Sequence, residues 1–198
     1  MNKCLIIILC IIVSCTKKND QNIFVPAAPI HIKTVPQPLV QETDPSLAAV
    51  INSIIAAEGA ALDASYAGRS AESDITVKLT RDDSQWFSYY YYGLIVTAGA
   101  AYPQTILWPV IIDKTKGQKV LWSDIASLSD TTYQREFIQS LSLQFQRLEI
   151  DITDIFPEES LPTVIERAVN AYLTDTKAVV LVEVPHVLGD FIEVSVPF

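Results

Sequence analysis

The sequence predicts an α+β fold, an antiparallel sheet with helices packed against it. Residues 85–96 and 105–112 are rich in aromatic and β-branched residues, the composition of half-buried strands. Residues 113–117 then have the composition and length of a turn between antiparallel strands. Before and after this central region, apolar residues recur at helical spacing. These helical segments therefore provide the layers that cover the sheet.

The chain begins with the pattern of a bacterial lipoprotein signal peptide. Lys3 gives a weakly positive start, and residues 5–13 are apolar but too few to cross a bilayer as a helix, which takes about 20 residues. Residues 12–15, Ile-Val-Ser-Cys, fit the lipobox, and a polar run follows at once. The pattern predicts that residues 1–14 are removed and that Cys15 becomes the lipidated N-terminus, with palmitate among its acyl chains.

An ordinary secretory signal cut at another site is the alternative. Such a site needs small residues one and three positions before the cut, and Ile12 is not small. The lipid on Cys15 would hold the mature protein on the extracytoplasmic side of a membrane, in the periplasm or at the surface of the cell envelope. Because no cytoplasmic segment precedes this anchor, transmembrane signalling is not expected.

Cysteine count and charge narrow the class of protein and partner. Cys4 and Cys10 lie in the predicted signal peptide, so the mature domain has no internal disulfide and depends on its core. Loss of Lys3 moves the formal net charge from −9 to −10. This acidity argues against nucleic acid and against electrostatic docking on an anionic membrane, and it favours a basic partner.

Residues 15–44 are interpreted as the lipidated cysteine and a tether. Four prolines recur there without helical periodicity, which is typical of an extended linker; they are Pro26, Pro29, Pro36 and Pro38. The alternative is that residues 30–35, which alternate apolar and polar side chains, form an edge strand. We expect residues 45–198 to form a single domain.

The first helix is expected from Pro45 to about Ala64, with Asp44 capping its exposed amides. Helical spacing predicts its buried face as Leu47, Val50, Ile51, Ile54 and Ile55. Residues 75–80 alternate as a half-exposed strand, and residues 81–84 make the turn into the tyrosine-rich strand. In that strand, alternation places two of the four tyrosines on each face.

The C-terminal part is predicted as helices followed by two strands. Asp130 offers a cap for a long helix whose apolar positions are Tyr133, Phe137, Leu141, Phe145 and Leu148. Another helix is expected near Pro157, with an apolar stripe of Leu161, Val164, Ile165, Ala168, Val169 and Tyr172. Residues 178–184 and 191–196 are the last two strands.

Three motifs, in this order along the chain, carry a family resemblance. Residues 99–103 read Gly-Ala-Ala-Tyr-Pro after the tyrosine-rich strand, residues 113–124 contain a turn, a short strand and a Ser-Asp helix entry, and residues 184–197 contain Val-Pro-His and a closing strand. From about Ser46 onward the chain therefore resembles the extracytoplasmic domain of lysozyme-sensing anti-sigma factors. Some cell-wall polysaccharide deacetylases carry the same domain beside their catalytic domain. The family has histidine where this chain has Tyr102.

The tyrosines are the candidate binding feature. Exposed tyrosine supplies contact area and a hydrogen-bonding tip at low entropy cost. The candidate ligand-binding residues are Tyr89, Tyr90, Tyr91, Tyr92, Tyr102 and Pro103. The alternative is that one face of the strand packs in the core and the other fills space under a helix.

No catalytic residue, metal ligand or cofactor motif is predicted. His31 and His186 are the only histidines, one in the tether and one in a turn, so a zinc site is not expected. A phosphate-binding glycine loop and a nucleophile elbow are both missing from the sequence. A pair of carboxylates for glycoside hydrolysis stays open, although residues 82–83 and 158–159 also fit a turn and a helix start.

Two functions are consistent with these observations. The first is a non-catalytic binding domain on an envelope lipoprotein, and the resemblance implies a lysozyme-like basic protein or a cell-wall glycan such as peptidoglycan as the partner. The alternative is a cell-wall hydrolase or a deacetylase-associated enzyme. The resemblance favours binding, because the deacetylase relatives keep catalysis in a separate domain.

Overall fold

The structure is a computed structural model that describes residues 35–66, 70–71, 75–96, 101–156 and 161–198. The predicted signal peptide, Cys15 and all but Val35 of the alternative edge strand lie outside the described residues. The predicted helix start at Pro157 also lies outside them.

The predicted α+β fold is confirmed, with two antiparallel sheets. The first sheet contains β1 (Ser70–Ala71), β2 (Thr76–Asp82), β3 (Trp86–Val96), β4 (Gln104–Asp113) and β5 (Gln118–Val120). Its order is β1-β3-β4-β5, with β2 also paired to β3. The second sheet, in the order β6-β7-β8, contains β6 (Ala171–Leu173), β7 (Lys177–Glu183) and β8 (Phe191–Pro197). The helices are α1 (Pro45–Ser65), α2 (Trp122–Ile125), α3 (Thr131–Arg147), α4 (Ile152–Ile155) and α5 (Leu161–Arg167), and His186–Leu188 form a 3-10 turn.

The start of α1 follows the sequence prediction. Asp44 accepts hydrogen bonds from the backbone amides of Ser46 and Leu47 at 2.8 and 3.4 Å, and Pro45 is the first helical residue. Ile51 and Ile55 are buried as predicted, but Val50 is 38% exposed. By length and composition alone α1 could cross a membrane, and it is the one such helix in the described part of the chain. Because its apolar face packs on the first sheet, we describe it as a helix of the domain.

The two faces of the first sheet pack against different layers. Tyr89 and Tyr91 on β3 are fully buried beneath α1 with Ile51 and Ile55. Tyr90 lies on the opposite face, toward the second sheet. The predicted alternation of the tyrosines is therefore confirmed, because only one face of β3 meets α1.

The second sheet forms a larger core with α3 and α5. Phe137, Leu141 and Phe145 of α3 are buried against it, as helical spacing predicted, while Leu148 at the end of the helix is half exposed. Tyr172 does not continue the apolar stripe of a helix. It lies in β6, because α5 ends at Arg167.

The two sheets are joined along β3, β4 and β6. The side-chain hydroxyl of Ser88 on β3 accepts a buried hydrogen bond of 2.8 Å from the backbone amide of Leu173 on β6. Beside it, Tyr90 and Leu107 pack on a small cluster of residues from the second sheet: Tyr172, Val179, Leu181 and Phe191. This junction leaves a cleft where the sheets diverge.

The predicted tether boundary at residue 44 is wrong, because residues 35–44 pack on the domain. Val35 and Val40 join the core cluster under α1, and Pro38 is buried. Glu42 forms an ion pair of 2.9 Å with Lys114 in the turn between β4 and β5. The described domain therefore begins at or before Val35.

Lys114 is an almost fully buried ammonium with three oxygen partners. Its Nζ lies 2.9 Å from Glu42 Oε2 and Asp82 Oδ1, and it donates to the carbonyl of Asp83 at 2.7 Å. Burial alone would lower the pKa of Lys114, but the two carboxylates outweigh it and raise the pKa. Lys114 thus joins the segment before α1, the β2–β3 turn and the β4–β5 turn.

We expect Lys114→Met to lower the free energy of unfolding by about 2–3 kcal/mol. Removing the Lys114 ammonium leaves the Glu42 and Asp82 carboxylates without their cation. The expected loss is smaller than for a fully buried ion pair, because both carboxylates keep some contact with water. Lys177→Met is the control, since Lys177 is exposed on β7 and its replacement should cost less than about 1 kcal/mol. Urea unfolding measures both variants. Equal losses would show that the Lys114 cluster adds nothing beyond an exposed lysine.

Candidate functional site

A cleft opens between the two sheets, beside the C-terminal half of β3 and the first residues of β4 and β8. Its volume is about 320 Å³, and we call it the aromatic cleft. Its lining consists of Tyr90, Tyr92, Thr105, Leu107, Gly189, Phe191 and Glu193. Alternation along β3 and β8 brings these side chains to one space, because Tyr90 and Tyr92 share a face of β3 and Phe191 and Glu193 share a face of β8.

The inner wall of the cleft is held by a chain of polar and aromatic contacts. The Tyr90 and Tyr172 rings lie 4.8 Å apart between centroids, and the Tyr172 hydroxyl donates a hydrogen bond of 3.1 Å to Glu193 Oε1. Burial and the nearby Glu193 carboxylate raise the pKa of Tyr172 well above its usual value. Tyr172 therefore stays a neutral donor and fixes one oxygen of Glu193.

The rim joins the residues around Tyr102 to the turn before β8. The rings of Tyr102 and His186 lie 5.8 Å apart between centroids. Asp190 accepts a hydrogen bond from the Thr105 amide at 2.7 Å through one oxygen, and its other oxygen lies 2.9 Å from His186 Nδ1. Asp190 thus fastens the start of β4 to the turn before β8.

A glycine makes the tight turn at this rim possible. Gly189 has φ of +99°, a left-handed conformation that L side chains rarely adopt. A Cβ built there would meet no atom within 4 Å, so the backbone lies open beside the cleft. The same turn leaves Val187 88% exposed.

The structure brings together half of the predicted ligand-binding residues. Tyr90 and Tyr92 line the cleft, and Tyr102 stands at its rim with 70% of its surface exposed. Pro103 is exposed beside Tyr102 but does not line the cleft.

Tyr89 and Tyr91 are wrong as ligand-binding candidates, because both are fully buried under α1. Neither hydroxyl has a hydrogen-bond partner in the described structure. Burial raises the pKa of both hydroxyls; the neighbouring Tyr91 raises the pKa of Tyr89 further, and the Glu58 carboxylate adds a smaller effect on both. These two residues belong to the core.

Sequence reasoning missed Leu107, Phe191, Glu193 and the His186–Asp190 pair as parts of the site. The alternation of Phe191 and Glu193 places them on one face of β8, and this signal was present. The packing of that face toward Tyr90 was not, because it depends on how the two sheets meet.

Among the described residues, the cleft has neither a metal-binding cluster nor a cationic side chain in its lining. No group of three His, Cys, Asp or Glu side chains within the described ranges could hold a metal ion. Glu193 is the one ionisable carboxylate in the described lining, and no lysine or arginine lines it. The described lining of the cleft is thus aromatic and slightly acidic.

Comparison of the chain with protein-family models and with curated proteins gives no match.

Proposed function

We propose that the protein is a membrane-anchored envelope lipoprotein whose domain binds a macromolecule through the aromatic cleft and its rim, without catalysis. Cys15 supplies the anchor, on the extracytoplasmic side of the membrane. The partner is a lysozyme-like basic protein or a cell-wall glycan, as the family resemblance implies. One observation carries the proposal: exposed aromatic residues and two of the resemblance motifs meet at one surface.

Exposure and charge support a binding role for this surface. Tyr92 in the cleft lining and Tyr102 and Val187 at the rim are 45%, 70% and 88% exposed, so large apolar side chains are accessible to a partner there. The acidic chain, with a formal net charge of −9, favours a basic protein over a nucleic acid. A glycosidase needs two carboxylates facing one space, and the described cleft lining has one, Glu193.

We expect Tyr102→Ala to weaken binding by about 1–3 kcal/mol while leaving stability unchanged. Tyr102 contributes contact area at the rim but is too exposed to support the core. The measurement is a titration of the mature lipidated protein, in detergent, with lysozyme and with soluble peptidoglycan fragments.

Leu39→Ala is the matched control, because Leu39 is also 70% exposed but is not among the residues of the cleft. It should bind like the wild type. If wild type binds neither lysozyme nor peptidoglycan fragments, the partner is wrongly assigned. If Leu39→Ala weakens binding as much as Tyr102→Ala, the binding surface is not this rim.

A further inference from the structure

We propose that the aromatic cleft is a saccharide-binding site that takes an uncharged sugar unit of a glycan. This inference rests on the proposed binding function and selects the glycan over a protein as the occupant of the cleft. The rim, with Tyr102 and Val187, remains available to other contacts.

The size of the cleft matches a small ligand rather than a protein surface. Its volume of about 320 Å³ lies at the lower end of the range for small-molecule sites, roughly 300–1,000 Å³. Tyr90, Leu107 and Phe191 in its lining are only partly exposed. A flat protein surface would meet the exposed rim, whereas a sugar ring can enter and reach these residues.

The apolar lining offers the surfaces that a sugar ring uses. A pyranose presents C–H groups on its ring faces, and these pack on aromatic and aliphatic side chains. Tyr92 and Phe191 supply two aromatic rings from opposite sheets, and Leu107 adds an aliphatic side chain that packs on the same small cluster as Phe191. Tyr90 is held in place by Tyr172 and by the Lys78 ammonium, 5.8 Å from its ring centroid. The Tyr90 ring is therefore positioned before a ligand arrives.

The polar groups of the lining suit hydroxyl groups. The Glu193 carboxylate accepts the Tyr172 hydroxyl through Oε1, and its remaining lone pairs can accept further donors, which sugar hydroxyls provide. Thr105 and Tyr92 add side-chain hydroxyls that both donate and accept. The open backbone at Gly189 allows close approach at the mouth. These polar groups would fix the orientation of the sugar, while the aromatic rings of the lining supply contact area.

The charge of the lining selects against anionic ligands. Among the described residues, Glu193 is the one charged side chain that lines the cleft, and no cation lines it. The Glu193 carboxylate would therefore repel a phosphate or a nucleic acid, whereas the Lys78 ammonium, 5.8 Å from the Tyr90 ring centroid, lies beside the lining and is not part of it. A neutral sugar unit satisfies the carboxylate by hydrogen bonding alone.

The test is isothermal titration of the mature lipidated protein, in a detergent without sugar groups, with three tetrasaccharides: chitotetraose, cellotetraose and maltotetraose. We expect wild type to bind at least one of them. Tyr92→Ala should weaken that binding about tenfold or more, because it removes an aromatic contact from the cleft. Glu193→Gln should weaken it about fivefold, because a charge-assisted hydrogen bond becomes a neutral one.

Two substitutions outside the cleft serve as controls. Leu79→Ala removes an apolar side chain of similar exposure from β2, and Glu166→Gln removes an exposed carboxylate from α5. Both should bind like the wild type. Thermal unfolding followed by circular dichroism checks that each variant is folded, and Glu193→Gln keeps the shape of its side chain if Tyr92→Ala fails this check.

The outcomes separate this inference from the proposed function. If lysozyme or peptidoglycan fragments bind but none of the tetrasaccharides does, the saccharide site is overturned and the binding function stands. If lysozyme, peptidoglycan fragments and all tetrasaccharides fail to bind, both are overturned. If a tetrasaccharide binds equally well to wild type, Tyr92→Ala and Glu193→Gln, its site lies elsewhere and the inference is overturned.

Discussion

Phe137→Ala should lower the free energy of unfolding by about 3–5 kcal/mol, the usual range for removal of a buried phenylalanine ring. Phe137 lies in the middle of α3, is fully buried, and packs with Leu141 and Phe145 on the second sheet. The expected loss has two parts, the apolar surface that is no longer buried and the cavity that the ring leaves. The cavity remains because α3 is anchored before and after this position. Domains of this size are stable by about 5–15 kcal/mol, so about a fifth or more of the stability is at stake.

Leu143→Ala on the same helix is the control. Leu143 is about half exposed, so its removal should cost less than about 1 kcal/mol. Urea unfolding followed by tryptophan fluorescence measures both variants. If Phe137→Ala costs no more than Leu143→Ala, α3 does not pack on the second sheet as described.

The elements that the sequence predicted well are those set by local rules. Asp44 and Asp130 each cap a helix through two backbone amides, and both caps could be read from residue type and position. The turn at residues 113–117 joins an antiparallel pair, as its composition indicated. Helical spacing in α3 identified its buried face because one side of that helix meets the sheet.

The elements that the sequence predicted less well depend on contacts between distant segments. Val50 has the spacing of a buried residue, but α1 covers the sheet with a narrower face than its apolar composition suggests. Residues 35–44 have the composition of a linker, yet Val35 and Glu42 find partners far along the chain. No local sequence pattern indicates partners that lie so far along the chain.

The candidate site, too, was predictable only where local patterns determine it. Alternation correctly separated the Tyr89 and Tyr91 pair from the Tyr90 and Tyr92 pair, but it could not tell which face lies under α1. That choice is made by packing, which buried the first pair and left Tyr92 exposed. The β8 wall of the cleft comes from a strand about 100 residues away in sequence, and the packing of the second sheet on the first brings it there.

The second large effect is expected from Cys15→Ala, which should abolish lipidation and release the protein from membranes or leave its precursor uncut. The lipobox at residues 12–15 predicts that the Cys15 thiol receives the lipid before cleavage. Each buried methylene of an acyl chain contributes about 0.8 kcal/mol to membrane binding, so loss of the lipid removes most of the attachment. Fractionation of cells and palmitate labelling measure the result.

Cys10→Ala is the control, because Cys10 lies in the predicted signal peptide and its replacement should not affect lipidation. The result also tests α1, whose length and composition alone would allow it to cross a membrane. If Cys15→Ala is processed normally and stays in the membrane fraction, the lipid is not the anchor. A soluble or uncut Cys15→Ala protein, with Cys10→Ala unchanged, assigns the attachment to Cys15 and leaves α1 to the domain, where Ile51 and Ile55 pack on the first sheet.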